Sequence, residues 1–149
     1  MDELEKNLQN YKLAAKAMVV FRRAERTVRS YEGDTIRKYN LTSMQFGVME
    51  VLYSKGDLRI SDLIDKMLST SGNMTVVIKN MERDGYINRM SDPADKRSSI
   101  ISLTDKGRSL IEKILPEHFR HLSDIFSVLT EDDQKELIRI LNKFKNLKL

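Results

Sequence analysis

Two clusters of side chains carry most of the chemistry this 149-residue sequence can do. The first is Ser91-Asp92-Pro93-Ala94-Asp95-Lys96-Arg97-Ser98, mostly polar, carrying a proline and without an apolar anchor. A loop of this composition protrudes from a fold. Arg97 at its tip is a long cation suited to a groove where negative potential is concentrated, as in the minor groove of a duplex. Lys96 suits a phosphate. Asp95, two residues before Arg97, suits bracing Arg97 or another arginine such as Arg89, so that the loop is preorganised. The second cluster is Ser71, Asn73, Thr75, Lys79, Asn80 and Arg83, polar positions on a stretch whose other face is apolar. Small polar side chains at a helix start can approach phosphates or base edges closely. The free amides of a first helical turn favour an anion, and asparagine can make a two-pronged contact to adenine.

Other chemistry finds less material. The sequence has no cysteine, which removes disulfides, thiolate metal sites and thiol redox switches. It has no glycine-rich phosphate loop, and its two histidines sit together, so neither a nucleophile with an oriented base nor an activated water is assembled. An enzyme is not expected. Glu117, His118 and His121 are the one zinc candidate, because residues three apart are neighbours on a helix, but no earlier histidine completes a ligand set. No metal and no cofactor are expected.

The elements that must hold these clusters follow from periodicity. Leu13, Ala17, Val20, Phe21, Ala24, Val28 and Tyr31 form one stripe of an amphipathic helix, with Gly33 and Asp34 as its break. Thr42 and Gln45 form a capping-box pattern opening a second helix that ends near Gly56, where a left-handed cap is expected. A short helix with Ile60, Leu63, Ile64 and Met67 follows. Turn-forming Ser69 to Asn73 then leads into Met74, Val77, Ile78 and Met81, a helix over about residues 71–84. Two short helices separated by a few residues have helix-turn-helix spacing.

After Asp84-Gly85 the period changes to that of strands. Tyr86 to Met90 and Ser99 to Leu103 read as two strands joined by the charged loop, a hairpin. A long stripe from Leu110 to Leu129, containing Pro116, and a last helix capped by Thr130 and Asp133 complete the chain. The predicted fold is mainly α with a small β-hairpin wing. It is a winged helix-turn-helix (41–104) flanked by an N-terminal dimerisation helix region (1–40) and C-terminal dimerisation helices (105–149). The flanking helices have wide apolar faces and few neighbours to cover them, and a second copy is the expected cover.

Bulk charge adds little. With 26 basic and 22 acidic residues the net charge is +4, and residues 71–97 hold five basic side chains against four acidic ones. Binding to a polyanion must therefore rest on where cations sit. No apolar run approaches the roughly twenty residues that cross a bilayer. No basic-then-apolar leader is visible, so a cytoplasmic protein without a membrane partner is expected.

Three segments resemble the MarR (multiple antibiotic resistance regulator) family of bacterial transcription regulators. They are Ser71-Gly72-Asn73-Met74-Thr75, Met81-Glu82-Arg83-Asp84-Gly85-Tyr86-Ile87, and Asp92 to Arg97 with Ser102 to Gly107. The resemblance implies a homodimer built from the end helices, with recognition helices in successive major grooves of a pseudo-palindromic duplex and Arg97 in the minor groove. Its duplex-facing set is Ser71, Asn73, Met74, Thr75, Lys79, Arg83, Lys96 and Arg97. It also implies repression relieved by a small aromatic or phenolic ligand. Pro116-Glu117-His118 and Phe126 to Thr130 resemble the quinone- and phenol-responsive subgroup. Met18, Phe21, Arg22, Phe46, Met49 and His118 are the candidate pocket residues. The alternatives are a zinc-responsive or ligand-independent regulator of the same fold, or a winged-helix module that binds protein.

Overall fold

A computed structural model describes residues 3–67 and 69–148. Its elements, in chain order, are α1 (Glu3–Lys38), α2 (Ser43–Lys55), β1 (Leu58–Arg59), α3 (Ile60–Lys66) and α4 (Ser71–Arg83). These are followed by β2 (Ile87–Ser91), β3 (Ser99–Leu103), α5 (Asp105–Phe126), α6 (Glu131–Leu141) and a 3-10 turn (Asn142–Phe144). The chain divides into two compact units, residues 35–121 and the paired ends 1–34 with 122–149.

The unit of residues 35–121 holds the core. Val48, Met49, Leu63, Met74, Ile78, Met81, Ile101, Ile111 and Ile114 are fully buried there. Phe46, Leu52 and Ile87 are almost as deeply buried. On α4, Met74, Ile78 and Met81 follow the 3.6-residue period, whereas α2 buries Phe46, Val48, Met49 and Leu52 around its axis. Thr42 accepts from the Gln45 backbone and the Gln45 side chain accepts from the Thr42 backbone, so the capping box forms as expected. α4 is opened by Thr70, whose hydroxyl accepts from the Asn73 N–H at 3.2 Å.

The strands form one antiparallel sheet in the order β1-β3-β2, with Leu58 opposite Ile101 and Ile87 opposite Leu103. A tight joint seats this sheet between α4 and α5. Gly85 turns the chain with φ 80, and the Thr104 hydroxyl donates to its carbonyl at 2.6 Å. The same hydroxyl accepts from the Gly107 N–H, opening α5. Gly107 lies so close to Tyr86 that a Cβ would stand 2.1 Å from the Tyr86 carbonyl oxygen.

Several expectations need correction. Gly33 does not break α1, which continues to Lys38; the chain turns instead at Asn40, with φ 58. One glycine lowers helix stability by about 1 kcal/mol and does not stop a 36-residue helix. Gly56 has the positive φ expected (81), but with ψ −161 it lies outside the left-handed helical well. β1 has only two residues, too few for a period to reveal, so the hairpin is in fact two strands of three.

The unit formed by the chain ends is built differently. Thr130 and Asp133 form the expected capping box of α6, and Gln134 donates to the carbonyls of Phe126 and Leu129. α6 has no buried residue, and Leu4, Leu8, Tyr11, Leu13, Val19 and Val20 of α1 are all exposed. No helix among the described residues is long and apolar enough to cross a membrane.

Candidate nucleic-acid interface

The wing is organised from its base to its tip by two aspartates. Asp92 is buried, with its side chain only 4% exposed. Its Oδ1 accepts from the Ala94 N–H at 2.9 Å, and its backbone N–H donates to the Ser98 carbonyl at 3.0 Å. Its Oδ2 lies 2.6 Å from Nε of Arg59 on β1. This ion pair joins the strand preceding α3 to the root of the loop. At the tip, Asp95 accepts from both the Arg97 backbone N–H (3.1 Å) and the Arg97 guanidinium (3.2 Å). The Arg97 backbone and then its side chain hold the Asp95 carboxyl below its ordinary value, with a smaller contribution from the charge of Arg59. Asp95 stays charged, and the Arg97 side chain, 92% exposed, projects from a loop closed by Ser98 N–H on the Asp95 carbonyl.

Arg89 is occupied elsewhere, 3.3 Å from Glu82 on α4. Of the two arginines considered for Asp95, the structure therefore pairs it with Arg97, and Arg89 fastens β2 to α4. Lys96 is exposed beside Arg97.

On α4, Met74, Ile78 and Met81 are fully buried and set the direction of the outer face. Ser71, Asn73, Thr75, Lys79 and Arg83 are all exposed. Met74 is a correction: its side chain has no surface to offer a duplex and belongs to the core. Thr75 donates to the Ser71 carbonyl at 2.8 Å, Asn73 Nδ2 donates to Ser69 Oγ at 3.4 Å, and Arg83 pairs with Asp84 at 3.1 Å. Arg59, Asp92 and Thr70 were not singled out from the sequence. The pairing of Arg59 with Asp92 was not visible there, because it spans separate elements.

The candidate pocket residues fall into different surroundings. Phe46, Met49 and His118 are buried, with the Phe46 and His118 rings 4.7 Å apart. Met18 and Phe21 are 48% and 50% exposed, and Arg22 is exposed too. A cavity of about 400 Å³ is lined by Glu50, Val51, Tyr53, Ser54, Leu115 and Phe119, none of them a candidate pocket residue. Glu117 accepts from Lys38 Nζ at 2.6 Å and from the Tyr39 hydroxyl at 2.8 Å. Both bonds hold its carboxyl below the ordinary value. Among the described residues no three His, Asp or Glu side chains are grouped to hold a metal ion.

The profile of the MarR family matches residues 41–99, the segment from the start of α2 to the wing. The HTH-type transcriptional regulator YkoM of Bacillus subtilis, itself uncharacterized, is 35% identical over 143 residues, 96% of this chain and 93% of that protein. The chain belongs to the MarR family. Members of this family are DNA-binding transcription regulators and not enzymes. The regulator MhqR of Bacillus subtilis is 31% identical over 128 residues, 86% of this chain and 88% of that protein. A solved MarR-like regulator from Bacillus cereus superposes with a TM-score of 0.77 at 28% identity, covering 93% of this chain and 96% of that one. Bordetella bronchiseptica BpsR, whose DNA binding is regulated by 6-hydroxynicotinic acid, shares the fold with a TM-score of 0.79 at 24% identity, covering 87% of this chain and 92% of that one.

Proposed function

We propose that this MarR-family chain represses transcription as a homodimer on a pseudo-palindromic duplex and is released by a small aromatic or phenolic compound. One observation carries the reading: Arg97 stands 92% exposed at the wing tip, aimed by an aspartate that is itself held in its charged form. Aspartates brace many surface turns in this way, and here the bracing pre-orders a cation for a narrow, negative groove, where immobilising a free arginine on binding costs about 0.5–1.5 kcal/mol.

α4 supplies the partner surface, with Lys79 and Arg83 for phosphates and the helix start for base edges. One lobe reads a half-site, and two-fold pairing of copies supplies the other. The exposed apolar residues of α1 and α6 suit that pairing, since large apolar patches on a lone chain mark an interface. Release by a ligand rests on the resemblance of the 116–130 region to quinone- and phenol-responsive members, and BpsR shows that this fold can be regulated by a small hydroxylated aromatic acid.

The test is sedimentation of the protein with a fluorescent duplex carrying its own upstream intergenic region, with and without simple phenols and quinones. Two chains per duplex, and loss of the complex on adding one of the compounds, is the expected result. One chain per duplex would overturn the dimer. A complex indifferent to every compound would overturn the effector, and no complex at low salt would overturn duplex binding.

A further inference from the structure

The outward line of α4 contains a residue that phosphate and hydrogen-bond chemistry do not explain. With Met74, Ile78 and Met81 pointing into the core, a rotation of about 100° per residue puts Gly72, Val76, Lys79 and Arg83 on the opposite side. Val76 is 58% exposed at the centre of that line, a branched apolar side chain on an otherwise polar surface. We propose that Val76 is a specificity-determining residue that reads thymine through its C5-methyl group. The inference rests on the reading of α4 as the helix that faces the major groove.

Three features of the surroundings support it. Gly72, one turn earlier, carries no side chain and has nothing within 4 Å of where its Cβ would be, so position 72 does not cover Val76. Two hydroxyls near the helix start are turned to the helix itself: Thr75 donates to the Ser71 carbonyl, and Thr70 caps Asn73. Thr75 therefore offers its hydroxyl to its own helix, and Val76 stands as the apolar centre of the outward line. Lys79 and Arg83, further along the same line, supply the cations that hold a duplex against it.

In the major groove thymine alone offers a methyl group, while the other bases offer nitrogen and oxygen donors or acceptors. Covering those polar edges with valine leaves them without a hydrogen-bond partner, so the same side chain that favours thymine opposes the alternatives. Each buried methyl contact corresponds to about a fourfold change in affinity.

The experiment begins by enriching tight-binding duplexes from a random-sequence pool with the full-length protein. Thymines in the enriched site are then replaced singly by deoxyuridine, which deletes only the C5-methyl group and keeps base pairing. Fluorescence anisotropy compares the wild type with Val76→Ala, and thermal unfolding checks that the variant folds. The expected result is a thymine in each half-site where uracil weakens the wild type roughly three- to fivefold and leaves Val76→Ala unaffected. Uracil penalties equal in the two proteins at every thymine would overturn the inference while leaving duplex binding intact. A pool from which nothing is enriched would overturn duplex binding and this inference with it.

Discussion

Replacing Gly107 by alanine puts a methyl group where backbone already stands. The new Cβ would lie 2.1 Å from the Tyr86 carbonyl oxygen, 3.0 Å from its carbon and 3.2 Å from Leu103 Cδ2. Because a close carbon–oxygen contact needs about 3.3 Å, the start of α5 must retreat from β2 by roughly 1 Å. That movement strains the Thr104 N–H bond to the Tyr86 carbonyl and the Thr104 hydroxyl bond to Gly85, at 3.1 and 2.6 Å. Overpacking costs about 1–3 kcal/mol, each weakened hydrogen bond about 1 kcal/mol, and alanine's better helix propensity returns about 1 kcal/mol. The net loss is about 2–4 kcal/mol, a large part of the roughly 5–15 kcal/mol that a domain has. At fixed protein concentration the melting temperature should fall by roughly 5–12 °C, read by circular dichroism. Gly72→Ala is the matched control. Its Cβ meets nothing within 4 Å, so the melting temperature should hold or rise slightly. Equal shifts in the two variants, or a Gly107→Ala shift below about 2 °C, would show that the contact of Gly107 with Tyr86 does not limit stability.

The wing root and the α1–α5 ion pair give two further expectations. Asp92→Ala removes the acceptor for Ala94 N–H and the partner of Arg59, so duplex affinity should drop by about 1–2 kcal/mol. Asp92→Asn, which keeps one acceptor, should lose less in the same anisotropy titration; equal losses would show that the hydrogen bond is immaterial. Glu117 has its folded pKa held below the ordinary 4.5 by Lys38 and then Tyr39. Its contribution to stability is therefore fully present above about pH 4.5 and is lost as pH falls through the lower folded value. Lys38 is raised above 10.5, so its side of the pair persists below that pH. Urea titrations from pH 7 down to 3 should show a gap between wild type and Glu117→Gln that closes as the pH falls, and a constant gap would contradict the ion pair.

Much of the fold was legible because its signals are local. Thr42 with Gln45 and Thr130 with Asp133 are caps written within four residues, and the buried face of α4 follows from a period of 3.6. The Asp95–Arg97 brace was legible for the same reason, since its partners are two residues apart. What escaped was long-range. β1 exists because Leu58 and Arg59 find β3 some forty residues later, and two residues carry no period. Arg59 meets Asp92 only once that strand is paired. The role of Gly107 is invisible until Tyr86 is placed against it. Val76 escaped for another reason: an exposed valine reads as an irregular core position until Met74, Ile78 and Met81 fix the direction of the core.

The claim on which the rest depends is that α4 and the Arg97 wing tip act together on a duplex. Titrating the wild type and Arg97→Ala into the fluorescent operator duplex at low and physiological salt tests it most directly. Steeply salt-dependent binding by the wild type is expected, with the variant weaker by about 1–3 kcal/mol and its salt slope reduced. Equal affinity and equal slope for the two proteins would contradict it.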